Sequence, residues 1–320
     1  MKKIMTVTGG ISADELGRTL IHEHFLFGFC GFQGDMTLGA FNEKQSMDIC
    51  ISMIERAKKQ GFHTFVDATS NECGRNPEFL KKLAERTGVK IICSTGFYHE
   101  SASAYAYWNF RKNFTDIEKE IYEMMKTELC YGISNTGIRA GVIKVASGEE
   151  ITPMERCFFS AAGKASKELD VPIITHTQNG KQGERQARLL IEAGADAKRI
   201  AIGHMCGNLD LEYHESVLSQ GVFDAFDRFG LEGELFKTPS DEERVMLIAT
   251  LIKRGWEKQI LMSHDSVSVE LGRSRRQLPS MQNAHIGNIG ERVIPMLKSQ
   301  GITDHQLDMI FIKNPSNFLG

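Results

Sequence analysis

Short apolar runs alternate along this chain with longer segments whose apolar residues recur three and four positions apart. The first pattern, bounded by turn residues, predicts strands; the second predicts helices with one buried stripe. Strands are expected at Thr19–His24, His63–Ala68, Lys90–Thr95, Ala140–Ala146, Pro172–His176, Ile200–His204, Val222–Phe226 and Gln259–Ser263. The segments between them carry helix starts. Asn42, with Gln45 three residues on, caps a segment whose stripe is Met47, Cys50, Ile54 and Ala57, and Gly61 ends it. Asn76-Pro77 joins an N-cap to a proline at N1 and opens a helix running to Gly88. Thr152-Pro153-Met154-Glu155 and Ser240 to Glu243 are capping boxes. Further helices are expected near Asp116–Tyr131, Glu184–Ala193, Leu211–Ser219 and Gly290–Lys298, and from Thr303 onwards. The aromatic stretch from Phe97 to Phe110 and the segment leading to His285 read as loops. Residues 4–12, with Gly9-Gly10 as the turn, predict a small hairpin.

Eight strand–helix units, in runs too apolar for a sheet with one wet face, predict an α/β fold of the (β/α)8 (TIM) barrel type. The expected domain is a single one over residues 1–320, with a short N-terminal hairpin and a helical C-terminal end. A doubly wound open sheet is the competing arrangement. Against it, no Gly-x-Gly-x-x-Gly follows the first strand and no phosphate-binding loop occurs anywhere.

Composition narrows the class. Hydrophobic residues are 41% and charged residues 25% of the chain, ordinary for a water-soluble globular protein. A net charge of −3 gives no electrostatic case for nucleic acid or an anionic membrane. No apolar run approaches the roughly 20 residues of a membrane helix. Met1-Lys2-Lys3 leads into too short and polar a segment for a signal peptide, so a cytoplasmic protein is expected. The seven cysteines are odd in number and form no Cys-x-x-Cys pair, which argues against a disulfide framework and a zinc ribbon.

The candidate chemistry begins at Leu20-Ile21-His22-Glu23-His24-Phe25. Residues i and i+2 of a strand share a face, so His22 and His24 project together while Glu23 points away. Two imidazoles on one face are half of a site for zinc or a similar cation. Other ionisable residues fall at matching depth: Lys144 ends the fourth strand, His176 the fifth and His204 the sixth, and Asp265 follows the eighth. Barrel active sites are assembled at that end of the strands, from several of them. Each residue alone has a dull reading as a core-edge or turn residue. Six at one level are unlikely to arise by chance. Lys144 is the odd member, because a protonated ammonium has no lone pair for a metal. It must be deprotonated, or converted to an acceptor such as the carbamate formed with carbon dioxide.

Gly17-Arg18-Thr19-Leu20-Ile21-His22-Glu23-His24, Gly141-Val142-Ile143-Lys144, Thr175-His176-Thr177, Ile202-Gly203-His204-Met205 and Ser263-His264-Asp265-Ser266 resemble, in order, the phosphotriesterase family of the amidohydrolase superfamily. The resemblance covers nearly the whole chain. More narrowly, 28–35, Thr95-Gly96-Phe97-Tyr98 and Phe226-Asp227-Arg228-Phe229-Gly230 resemble the phosphotriesterase-like lactonases. The resemblance implies two divalent metal ions, zinc or else cobalt, manganese or iron. His22, His24 and Asp265 would hold the buried metal and His176 and His204 the exposed one, with carboxylated Lys144 and a hydroxide between them. It further implies a homodimer and a small-molecule lactone or ester substrate. Asp265 would shuttle the proton, while Tyr98 and Arg228 would stabilise the oxyanion or orient the substrate. Glu23 and His264, adjacent to ligands, read as supporting residues. Ser263-His264-Asp265 is no hydrolase triad, because adjacent side chains diverge.

Lactone opening with promiscuous phosphotriesterase activity is therefore the expected function. A primary phosphotriesterase and a phosphorylated-lactone hydrolase are the alternatives, the latter requiring a basic pocket such as Arg273, Arg275 and Arg276 would make. A metal-binding homologue with a purely structural role is a different class. The presence of all six ligand-type residues argues against it.

Overall fold

The computed structural model describes residues 3–103, 105–233, 238–273 and 281–320. Eight parallel strands follow one another in chain order around a barrel: β3 (Arg18–Phe27), β4 (Phe62–Asp67), β5 (Lys90–Gly96), β6 (Val142–Ser147), β7 (Ile173–Thr177), β8 (Ile200–Ile202), β9 (Phe223–Phe226) and β10 (Ile260–Met262). A ninth, β11 (Val267–Glu270), pairs with β3 on its other side. The chain between β10 and β11 closes the circle. There the Asp265 N–H donates to the His22 carbonyl at 3.0 Å, and the His24 N–H to the Ser266 carbonyl at 2.9 Å.

The helices lie where the pattern placed them: α1 (Glu43–Lys58), α2 (Pro77–Thr87), α4 (Ile117–Cys130), α5 (Pro153–Leu169), α6 (Gly183–Glu192), α7 (Leu211–Leu218) and α8 (Asp241–Lys253). Asn42 and Asn76 accept from the backbone N–H groups of Gln45 and Phe79, and the capping boxes at Thr152 and Ser240 are both formed. α9 (Ile294–Ser299), α10 (Asp304–Asp308) and α11 (Asn314–Leu319) make the helical C-terminal end. None of the helices among the described residues is long and apolar enough to cross a membrane.

Three details differ from the sequence expectation. The N-terminal hairpin, β1 (Ile4–Thr6) with β2 (Gly9–Ile11), turns at Val7-Thr8, and the two glycines lie in β2 opposite Thr6 and Met5. The aromatic stretch contains α3 (Tyr105–Arg111), whose Tyr105 and Trp108, three apart, are buried while Tyr107 and Phe110 are exposed. The loop after β10 contains β11, whose residues are all half-buried and so carry no alternation to read.

Two layers of core position the site. Ile21, Val66, Ile92, Val142, Ile174, Ala201, Phe223 and Leu261 fill the barrel below it. A larger cluster packs the outer strand faces against the helices. In β3, Leu20 pairs with Phe65 and Glu23 with Asp67, so Ile21 and His22 together face the single residue Val66. Such a bulge resets which side chains point inward. Here it lets Ile21 join the inner core and still turns His22 and His24 into the barrel. Close approach matters at Gly203, where a Cβ would stand 2.1 Å from the Thr175 carbonyl oxygen. The following residue, His204, is thereby held against β7.

Candidate metal centre

The six residues singled out from the sequence meet at the C-terminal ends of the strands. The His22 and His204 rings stack at 4.8 Å between centroids, His176 stands perpendicular to His204 at 4.4 Å, and His24 lies 5.4 Å from His22. Lys144 reaches into this ring of imidazoles, its Nζ 2.9 Å from His22 Nε2. Asp265 closes the circle, with Oδ1 3.0 Å from His24 Nε2 and 3.5 Å from His22 Nε2. Two of these residues have left-handed backbones, His204 at φ 60° and Asp265 at φ 53°. Non-glycine residues in that region store strain, which structures tolerate at functional sites.

A second set of residues orients the first. Asp227 accepts from Nδ1 of both His22, at 2.7 Å, and His204, at 2.9 Å, and also from the His204 backbone N–H. Both rings therefore turn Nε2 towards the cavity. Thr69 meets His24 Nδ1 at 2.8 Å. The His176 Nε2 lies 3.1 Å from Gln178 Oε1, leaving Nδ1 as the atom available to a cation. Among the described residues, His22, His24 and Asp265 form one group with ligand atoms all within 4.8 Å of one another; His22, His204 and Asp227 form a second. In that second group Asp227 already holds both Nδ1 atoms, so it acts as an orienting acceptor and not as a rival ligand.

The electrostatics suit cation binding. Burial pushes His204 down to about 3, and burial and neighbouring cationic groups lower His22 and His176 as well, so these imidazoles keep their lone pairs. Burial also pushes the Lys144 ammonium down to about 8, against the attraction of Asp265 and Asp227. Burial opposes the charge on Asp265. The surrounding imidazoles and Arg228 outweigh that and hold its carboxyl well below the usual range. Buried imidazoles with fixed outer nitrogens, around a carboxylate and a lysine whose ammonium is disfavoured by burial, fit divalent cations.

The cavity above this ring has a volume of about 860 Å³. Tyr98 and Arg228 both reach it. The Tyr98 ring packs edge-on against His176 at 4.9 Å, and Arg228 Nε donates to Asp265 Oδ2 at 3.0 Å. Phe27, Leu231, Val267, Val269 and Met281 give the wall an apolar character. Apart from Lys144 and Arg228, the described residues bring no lysine or arginine to it. Arg273 is on the surface, paired with Asp35 at 2.7 Å, while Arg275 and Arg276 lie outside the described residues.

The sequence matches the model of the phosphotriesterase family over residues 2–319. The chain belongs to the phosphotriesterase family. An organophosphorus hydrolase from Deinococcus radiodurans is 46% identical and superposes with a TM-score of 0.97, over 99% of this chain and 97% of that one. A variant of a PTE-like lactonase from the same organism matches with equal identity and TM-score, over 99% of this chain and 100% of its own. The aryldialkylphosphatase of Saccharolobus solfataricus is 31% identical over 313 residues, which is 96% of either chain.

In this phosphotriesterase-family site, sequence reasoning left three residues without a role. Asp227 was visible only as part of a motif, although it lies two residues beyond Ala225, which faces the inner core, and so is aimed inward like the histidines. Arg244 is fully buried on α8, and its guanidinium donates to the carbonyls of Arg228 and Leu231, at 2.7 Å each, fixing the loop that carries Arg228. Glu72 accepts from the Tyr98 backbone N–H at 2.7 Å. The last two carried no signal beyond a charged residue in a helix or loop.

Proposed function

We propose that this member of the phosphotriesterase family is a metal-dependent lactonase with secondary phosphotriesterase activity. The observation that supports it most is the convergence of four imidazoles, Lys144 and Asp265 beneath a cavity of mixed polar and apolar lining that a phenol and a guanidinium also reach. In this reading His22, His24 and Asp265 would hold one divalent cation and His176 and His204 another, and a carboxylated Lys144 would supply a further anionic ligand. Zinc suits the nitrogen-rich set best, and cobalt, manganese or iron could replace it. When bound, such cations polarise an ester carbonyl and lower the pKa of water from 15.7 to about 7.

The chain's own residues do the rest. Asp265, ionised at neutral pH, takes the proton of the attacking water and passes it towards the departing alkoxide. Arg228 keeps one Asp265 oxygen in place and, never losing its charge, presents its remaining N–H groups to the substrate. Burial raises the Tyr98 phenol above its ordinary range, so it stays a donor, aimed at the oxygen that gains charge as the lactone carbonyl turns tetrahedral. The apolar stretch of the wall favours the carbon skeleton of an uncharged ring. A primary phosphotriesterase is the second reading, supported by the names of the Deinococcus and Saccharolobus relatives.

Tyr98→Phe separates the two. A phosphotriester is already tetrahedral and depends more on a roomy pocket and a good leaving group. A lactone depends on stabilising a new oxyanion. The substitution should lower lactone turnover by roughly tenfold or more, the cost of one lost transition-state hydrogen bond, and phosphotriester hydrolysis by less. Both activities should be measured on one preparation of known metal content. A parallel fall makes Tyr98 a packing residue, and a wild type with the higher kcat/KM for the phosphotriester reverses the assignment.

The homodimer implied by the resemblance belongs to the same proposal. The exposed rings of Tyr107, Phe110 and Phe114 supply an apolar surface of the kind such contacts cover. Light scattering should give about twice the 35.8 kDa of one chain, and a single-chain mass would remove this part of the reading.

A further inference from the structure

Glu23 sits between two of the ligand histidines, yet its side chain lies on the other face of β3 and is 1% exposed. There its carboxylate gathers five donors. Oε1 accepts from Ser263 Oγ at 2.7 Å, the His264 backbone N–H at 3.0 Å and His264 Nδ1 at 2.7 Å. Oε2 accepts from the Ser266 backbone N–H at 3.1 Å and Ser266 Oγ at 2.5 Å. These donors come from both sides of Asp265, the residue with φ at 53°. The His264 tautomer is set from its other end, because Nε2 accepts from the Ile289 N–H at 2.9 Å and so Nδ1 carries the hydrogen. The opposite side of the same turn is tied to the backbone of His22 through Ser263 Oγ, at 3.0 Å, and through the Asp265 N–H.

We propose that Glu23 is a positioning residue: its carboxylate clamps the Ser263–Ser266 turn and thereby holds Asp265 in its strained conformation, aimed at the cation shared with His22 and His24. One strand then supplies two ligands from one face and the support of the third from the other. The proposal rests on the metal reading given above. It also explains why the residue is an acid. A glutamine would offer one accepting oxygen, and its amide hydrogens would face the Ser266 or His264 donors. An alanine would leave all five donors unsatisfied in a buried place.

The test is zinc binding to metal-free protein, read by competition with a chromogenic chelator, on the wild type and Glu23→Gln. Two zinc sites are expected in the wild type. In the variant the site that includes Asp265 should weaken about 10- to 100-fold, the range for loss of a group supporting a metal ligand. A crystal structure of the variant should show Asp265 out of the left-handed region. Phe318→Leu, at the far end of the barrel against Phe223, is the stability control; it should lower the melting temperature and leave zinc binding unchanged. If Glu23→Gln does not fold, Ser266→Ala removes one donor and should weaken the same site threefold or more. Two wild-type affinities in the variant that is tested, or an equal weakening in Phe318→Leu, would overturn the positioning role alone. A wild type that takes up no zinc would overturn the metal reading and this role with it.

Discussion

Lys144→Met should give a folded barrel that has lost its tight pair of cations. Lys144 is 2% exposed, and its amine lies within hydrogen-bond distance of a ligand-type imidazole. As an ammonium it would repel a cation there and offer it nothing. Burial lowers it to about 8, which makes the neutral amine that can attack carbon dioxide easier to reach than on a surface lysine. The nitrogen–carbon bond forms, one proton leaves the nitrogen, and the product is an anionic carbamate with two oxygens able to face two cations. Methionine keeps an unbranched apolar stem but ends one atom short of the amine, so the fold should tolerate it while room remains where the charged end lay, and it supplies no anionic oxygen. Zinc affinity should fall by roughly 100-fold or more, beyond the range for a supporting residue, and turnover should fall with it. Acetate or propionate, small enough to enter the space left by the amine, should restore part of both. Metal analysis after dialysis, with and without the added carboxylate, checks this. Retention of two tightly held zinc ions by the methionine variant would remove Lys144 from the site. A density map of the metal-loaded wild type with a bare amine at this position would remove the carbamate and keep the rest.

The parts of this site that were legible in the sequence share one property: their signal is local or periodic. His22 and His24 could be paired because a strand repeats every two residues. Lys144, His176, His204 and Asp265 could be grouped because each ends an apolar run in a fold that collects such ends. The strands themselves were placed to within a few residues of their observed limits, as runs of buried β-branched and aliphatic residues should be. What escaped depends on partners far away in the chain. Asp227 is defined by a ring 205 positions earlier, and although Glu23 reads as a supporting residue, what it supports, a turn 240 positions later, is not visible from the sequence. The bulge at Ile21 and His22 leaves no mark in composition, since strict alternation would have put either Ile21 or His22 on the wrong face. β11 was missed because its half-buried pattern resembles a loop, and its pairing with β3 is made by barrel closure and not by its own propensity.

Asp265→Asn should cost far more in turnover than in apparent substrate affinity. Burial opposes the charge on this carboxylate, but the polar groups around it outweigh that: His24 Nε2 and Arg228 Nε each at 3.0 Å, His22 Nε2 at 3.5 Å and His204 Nε2 at 3.7 Å. Asparagine keeps the outline but removes the charge, the basic lone pair and one acceptor, and it turns an amide donor towards other donors. If Asp265 carries the proton from water to the leaving alkoxide, kcat per bound metal pair should fall by about 10²- to 10⁴-fold, the usual worth of a positioned acid–base group, with KM changed only a few-fold. Normalising to bound metal matters because the same residue is a ligand in this reading. The pH dependence follows from the same surroundings. A carboxyl held below its usual range is ionised throughout the neutral region, so Asp265 itself should add no step to the rate–pH profile there, and any neutral limb belongs to the cation-bound water. The Asp265 limb should come only in acid, as the carboxylate takes up its proton and ceases to be a base. The asparagine variant has no such proton to gain, so the part of the acid limb that belongs to Asp265 should vanish from its residual activity. A variant with near-normal turnover per metal pair, or one that keeps the whole acid limb, would place the proton on another group.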